Sequence, residues 1–256
     1  MELFFIGTGG GRINLLRRLR STGGFRINGS LNIHVDPGPG ALADGMRRHQ
    51  DPLKLDAVIV THHHIDHCND AALMVEGMSH FGLKKGGILI GSKYVIEGNE
   101  KGDRGVDLYH QSLCDEVFTA NPGKKKDFES KKGKFSLECI KAVHDSADAF
   151  GFKLKMDGKT IGYTSDTEFY KGMIDNYIGC DVLIVNTLKP SEDPYEGHMT
   201  AAQARDLIGK AGPKLAILNH LGMKMIMGKS KIIAKEMEDE TGVKTIAATD
   251  GMRVQL

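Results

Sequence analysis

Apolar residues in this chain fall into short runs rather than long helical stripes. Leu3 to Ile6, Leu31 to Val35, Leu55 to Val60, Gly87 to Ile90, Asp181 to Asn186 and Lys214 to Asn219 each read as a strand bounded by turn residues. Phe135 to Ala142 alternates with period two. Phe150 to Met156 and Thr160 to Thr164 flank Asp157-Gly158, a strong hairpin signal. Helical spacing is expected over Ala41–Gln50 and Ala71–His80. Thr200-Ala-Ala-Gln203 has the form of a capping box and opens a helix with Ala201, Ala204, Leu207, Ile208 and Ala211 on one face. Gly212-Pro213 stops it. A last helix, Ser230–Thr241, ends at Gly242, and strands over Val243–Ala247 and Met252–Leu256 close the chain.

Strands therefore lead in each half and helices come late, with no proline- or serine-rich linker between the halves. This pattern predicts one domain over residues 1–256, of α/β (α+β) class, built from two pseudo-equivalent halves with two sheets inside and helices outside. Hydrophobic residues make up 40% and charged residues 26%, the balance of an ordinary globular chain. The net charge of +1 gives no sign of a nucleic-acid or membrane partner. The lysine-rich stretch from Lys124 to Lys134 carries Asp127 and Glu129 among its cations, so a hairpin turn or solvated loop is expected there rather than a nucleic-acid patch. No apolar run approaches the roughly 20 residues of a membrane helix, and the first residues lack the basic start of a signal peptide. Cys68, Cys114, Cys139 and Cys180 are widely spaced, which points to reduced, buried thiols and a cytoplasmic protein. Gly7-Thr8-Gly9-Gly10-Gly11 follows a strand but lacks the lysine and the glycine spacing of a phosphate loop. A tight turn near the site is the reading it supports.

The chemistry concentrates in Thr61-His-His-His-Ile-Asp-His67. His62, His64, Asp66 and His67 spell H-x-H-x-D-H directly after a buried strand, and imidazole with carboxylate suits zinc, or otherwise iron or manganese. So many polar groups at the end of a core strand would be costly without a partner. His144, Asp166 and His220 stand likewise where a strand meets a loop. His63 lies between ligands and is expected to point the other way, because strand-like neighbours alternate. His49, His80 and His110 read as ordinary polar histidines, and Cys68 as a small buried hydrophobe.

Over nearly its whole length this pattern resembles the metallo-β-lactamase superfamily. The resemblance implies a four-layer αββα sandwich with the site at one edge between the sheets, and two divalent metal ions, Zn2+ first, with Mn2+ or Fe2+ as alternatives. Carried over by position, His62, His64 and His144 would hold one ion, Asp66, His67 and His220 the other, and Asp166 would bridge them, with Asp66 also serving the reaction. Asp36 matches the aspartate that orients a ligand in that family, and Thr61 is a further supporting candidate. A bridging aspartate, where lactamases commonly carry cysteine, argues against β-lactam chemistry. His64, where flavo-diiron relatives carry glutamate, argues against reduction of oxygen or nitric oxide.

Gly197-His198-Met199-Thr200 is similar to a segment of ribonuclease Z and related phosphodiesterases, in which the histidine stabilises the scissile phosphate or donates a proton to it. His198 is expected in that role, beside a helix N-terminus that favours phosphate. The long basic arm of ribonuclease Z has no room between His144 and Asp166, so a small-molecule or nucleotide phosphodiester substrate is expected, as in the phosphoribosyl cyclic phosphodiesterase branch. Residues 85–134 are long enough for a lid or an RNA-binding surface, and Leu221 to Lys231 either lines the pocket or forms a loop with a core-facing methionine stripe. Two readings compete: a thioester or lactone hydrolase of the glyoxalase II type, and a non-catalytic metal- or RNA-binding protein. A homodimer is common in the families resembled.

Overall fold

A computed structural model describes every residue from Met1 to Leu256. The first half supplies strands β1 (Glu2–Phe5), β2 (Phe25–Asn28), β3 (Asn32–Val35), β4 (Ala57–Val60), β5 (Ile88–Gly91) and β6 (Glu116–Thr119). The second supplies β7 (Lys125–Ser130), β8 (Gly133–Lys141), β9 (Phe150–Met156), β10 (Lys159–Tyr163), β11 (Val182–Asn186), β12 (Leu215–Asn219) and β13 (Thr245–Ala247). Strand β14 (Arg253–Gln255) returns to the first sheet. The two seven-stranded sheets run β14-β1-β2-β3-β4-β5-β6 and β13-β12-β11-β10-β9-β8-β7. Each is antiparallel on one side and parallel on the other, the change falling at β3 and at β10.

The helices are short: α1 (Gly11–Arg17), α2 (Ala41–Arg47), α3 (Ile65–Cys68), α4 (Ala71–Met78), α5 (Lys93–Ile96), α6 (Leu108–Ser112), α7 (Met173–Tyr177), α8 (Ala201–Ala211), α9 (Met223–Ile226) and α10 (Ser230–Thr241). None is long and apolar enough to cross a membrane. The expected capping box is in place: Thr200 and Gln203 bond reciprocally, and Gly212 ends α8 in the left-handed region.

The continuous apolar runs have a simple cause. Ala57 and Ile59 of β4 face the core between the sheets, whereas Val58 and Val60 face the layer of α4. On β11, Val182 and Ile184 face inward and Leu183 and Val185 meet α8. Central strands are buried on both faces, which gives the four layers αββα. Strand β2 escapes the hydrophobic pattern because Arg26 interrupts it, although this arginine is buried and donates from Nη1 to Asp51 O at 2.9 Å. The lysine-rich stretch forms the edge hairpin β7–β8, with Phe128 turned to the core. Residues 85–134 supply β5, β6 and β7 to the two sheets, so this stretch belongs to the framework and is no separate lid. Parallel strands β3, β4, β10, β11 and β12 bring their carboxyl ends to one edge, the place where open α/β sheets present their ligands.

Candidate metal centre

Strand β4 ends at Val60, and the next residue is tied down at once. Thr61 donates its N–H to Asp36 Oδ1 at 2.7 Å and its hydroxyl to Asp36 Oδ2 at 2.9 Å. Asp36 Oδ2 also accepts from His67 Nδ1 at 3.0 Å and from the Tyr163 hydroxyl at 2.8 Å. The bond on Nδ1 fixes the His67 ring and leaves Nε2 for the site. Asp36, Ser165 and His220 all adopt positive φ (51°, 56° and 52°), an uncommon conformation for residues other than glycine. All three are buried at strand ends around the site, where surrounding structure can hold such backbone.

The seven expected residues converge. Donor atoms of His62, His64 and His144 lie within 4.8 Å of one another, as do those of Asp66, His67 and His220, and those of His62, His67 and Asp166. His144 Nδ1 donates to Gly197 O at 2.9 Å, which turns its Nε2 to within 3.1 Å of His64 Nδ1. His67 Nε2 and His220 Nε2 are 3.0 Å apart, and each lies 3.3 Å from Asp166 Oδ2. Asp66 Oδ2 is 3.4 Å from His220 Nε2 and accepts the Gly11 N–H at 3.2 Å. Two donors on one ion, each at about 2.0–2.1 Å in tetrahedral geometry, lie roughly 3.3 Å apart. The spacings here are of that order. His62 Nε2 is buried with no protein partner. An orphaned imidazole nitrogen among convergent donors fits a divalent cation.

Electrostatics points the same way. Burial opposes charge on Asp166, but His220, His67 and His198 around it hold its carboxyl well below the usual range. Burial likewise disfavours a charged His67, yet Asp166, Asp36 and Asp66 raise its imidazole well above the ordinary value. His62 is lowered, first by burial and then by His67. Three buried or nearly buried carboxylates beside these rings form a site for positive charge.

His198 sits at the rim of this cluster, with Nδ1 3.6 Å from Asp166 Oδ2. Burial, opposed by Asp166, pushes its imidazole down to about 4, so the free ring is neutral near pH 7 and a hydrogen-bond donor. The amides at the start of α8 are less available to phosphate than the sequence suggests: those of Thr200, Ala201 and Gln203 donate to Gln203 Oε1, Lys189 O and Thr200 Oγ1.

Around the centre lies a pocket of about 330 Å3, walled by Arg12, Ile13, Ile65, Tyr195, Met223 and Lys224 among others. The segment after His220 therefore divides: Met223 and Lys224 line the pocket, Met225 is buried in the core and Met227 is exposed. His63 turns away and stacks on Tyr94 with ring centroids 4.0 Å apart. His49 and His80 are exposed, and His110 pairs with Asp107 and Glu76 away from the site. Cys68 is buried with its thiol on Gly105 O. Three contributors escaped the sequence reading. Ser165 donates to Thr61 Oγ1, Tyr163 to Asp36, and Asn186 to both Tyr163 and Asp166. Their only signal was position, at the ends of β10 and β11. The glycine turn is near the site as expected, and a Cβ on Gly10 would lie 2.1 Å from His220 Nδ1.

Two sheets between helical layers, with histidines and aspartates gathered at one edge, define a protein of metallo-β-lactamase architecture. The family description "Beta-lactamase superfamily domain" matches residues 31–221, and the chain belongs to the metallo-β-lactamase superfamily. It is 34% identical over 259 residues to an uncharacterized protein of Methanocaldococcus jannaschii, covering 100% of this chain and 95% of that one. It is 30% identical to a metal-dependent hydrolase of Pyrococcus abyssi, over 72% of this chain and 76% of the relative. Among solved structures, the metallo-β-lactamase-fold protein YhfI from Bacillus subtilis superposes with a TM-score of 0.77 at 21% identity, covering 99% of this chain and 98% of YhfI.

Proposed function

We propose that this chain is a metal-dependent hydrolase with a dinuclear centre, and that it acts on a small or nucleotide-like phosphodiester. The observation that carries the reading is the place of Asp166. Its Oδ2 lies 3.3 Å from both His67 and His220, and it shares a donor group with His62. His62, His64 and His144 would hold one ion, Asp66, His67 and His220 the other, with Asp166 between. Two divalent cations there would lower the pKa of a water and offset charge on phosphoryl oxygens.

The protein's own groups supply the rest. Asp36 and Thr61 orient His67 and His62, whose Nδ1 is 3.2 Å from the Thr61 hydroxyl. Gly11 fixes one oxygen of Asp66. His198, on the pocket wall beside Asp166, is placed to donate a hydrogen bond to a phosphoryl or leaving-group oxygen. Arg12, exposed on the pocket wall, favours an anionic substrate. The four cysteines are free and buried, which supports a reducing, cytoplasmic setting.

The test is hydrolysis of bis-p-nitrophenyl phosphate by protein loaded in turn with zinc, manganese and iron. Turnover abolished in Asp66→Ala is the expected result. No turnover with any of the three would overturn the proposal. Acyl-thioester cleavage indifferent to His198→Ala would move the assignment to the glyoxalase II type, and salt-sensitive RNA binding without turnover to a binding protein.

A further inference from the structure

Resting on the phosphodiesterase reading, we infer that Tyr195 is a stacking platform for a planar base, so that the preferred substrate is a nucleoside phosphodiester. Tyr195 lines the pocket with 56% of its surface exposed, and its hydroxyl has no hydrogen-bond partner in the protein. Neither core packing nor a structural hydrogen bond accounts for an aromatic ring there. Its position is fixed by the backbone: His198 donates its N–H to Tyr195 O at 3.2 Å, and the two residues form an isolated antiparallel bridge. The tight turn holds the Tyr195 ring 5.6 Å from the His198 ring, and His198 Nδ1 is 3.6 Å from Asp166 Oδ2. The aromatic surface is thereby tethered beside the histidine that faces Asp166.

The surroundings suit a base better than a sugar. Ile13 and Ile65, 56% and 57% exposed, and Met223 contribute apolar wall to the same pocket. The Lys189 ammonium sits 5.2 Å from the Tyr195 ring centroid and is anchored by Asp193 at 3.0 Å, so the ring is braced by a fixed cation. A pocket of about 330 Å3 is on the scale of a single nucleotide rather than a folded nucleic acid. Every base offers a π-face, so such a platform distinguishes nucleosides from other alcohols without reading which base is present.

Three esters with the same p-nitrophenolate leaving group test this: methyl p-nitrophenyl phosphate, thymidine 5′-(p-nitrophenyl phosphate) and the abasic deoxyribose analogue of the latter. The thymidine ester is expected to exceed both others in kcat/KM by about tenfold or more, through KM. Tyr195→Ala should erase that margin, while Tyr195→Phe should keep it. Equal preference in wild type and Tyr195→Ala, or an abasic ester as good as the thymidine ester, would overturn the inference. Should no ester turn over, the hydrolase assignment fails separately. Calorimetric binding of thymidine 5′-phosphate against deoxyribose 5-phosphate then decides for Tyr195, with a margin lost in Tyr195→Ala in favour and no margin against.

Discussion

Asn186 donates its side-chain N–H to Asp166 Oδ1 at 2.7 Å, and both residues are buried. The same amide nitrogen lies 3.1 Å from the Tyr163 hydroxyl, which in turn donates to Asp36 at 2.8 Å. One buried chain therefore links the carboxylate that orients His67 to the carboxylate between the two proposed donor sets. By occupying Oδ1, Asn186 turns Asp166 Oδ2 toward His67 and His220. Supporting partners of this kind typically contribute 10–100-fold to metal affinity.

Asn186→Ala is expected to weaken metal retention by about tenfold or more, and Asn186→Asp by more, because it sets a second carboxylate against Asp166. Chelator competition on folded protein, with the fold checked by circular dichroism, measures this directly. An unchanged competition midpoint in both variants would remove Asn186 from the site.

Gly10 tests a different support. A Cβ there would sit 2.1 Å from His220 Nδ1, and the histidine has little freedom to retreat because it is buried. Gly10→Ala should displace the imidazole and lower the occupancy of the Asp66–His67–His220 set while sparing that of His62, His64 and His144. Elemental analysis after gel filtration would give a ratio well below that of the parent protein. Full metal content in the variant would mean that the Gly9–Gly10 turn yields instead.

What the sequence disclosed and what it hid follow one physical rule. His62, His64, Asp66 and His67 were legible because they lie within six positions after an apolar strand, and no ordinary core calls for such a cluster. His144, Asp166 and His220 were legible because each follows a strand that the apolar pattern marks. Tyr163 and Asn186 were not, since a tyrosine in a strand reads as core and an asparagine at a strand end reads as a turn. Their role depends on two strands, β10 and β11, lying side by side with Asp36 across from them. Arg26 hid β2 for a related reason: its guanidinium breaks the apolar run, and only the fold supplies the Asp51 carbonyl that receives it.

His34 makes stability depend on acid. The ring is fully buried on β3, with Nε2 donating to Gly23 O at 2.8 Å and Nδ1 without a partner. Burial first, and then the Arg26 charge, push its imidazole from 6.5 down to about 3, with the Gly23 carbonyl opposing. Below pH 6.5 the unfolded chain takes up a proton that the folded protein refuses until about pH 3. Stability from this residue is therefore complete above pH 6.5 and falls with pH across that window, by up to about 1.4 kcal/mol per pH unit. His34→Gln can keep a donor toward Gly23 and cannot titrate. Urea unfolding between pH 7 and pH 5 should show a shallower loss of stability in the variant, and parallel curves would assign the acid response to other groups.

Arg12 is the cation of the pocket wall with no carboxylate of its own. Lys189 and Lys224 share Asp193, each at 3.0 Å, whereas Arg12 is exposed and enters no ion pair. Its guanidinium is thus free for substrate, but solvent and salt screen it. Arg12→Gln should raise KM for bis-p-nitrophenyl phosphate by about two- to fivefold, in keeping with an exposed charge pair. Turnover at saturation should stay near that of the parent protein, because the residue meets the substrate's charge rather than the bond that breaks. High salt should narrow the difference between the two proteins, since it weakens attraction in the parent more than in the variant. A drop in kcat with unchanged KM would instead place Arg12 in the chemical step, and a KM equal to the parent's at low salt would show that the substrate passes it by.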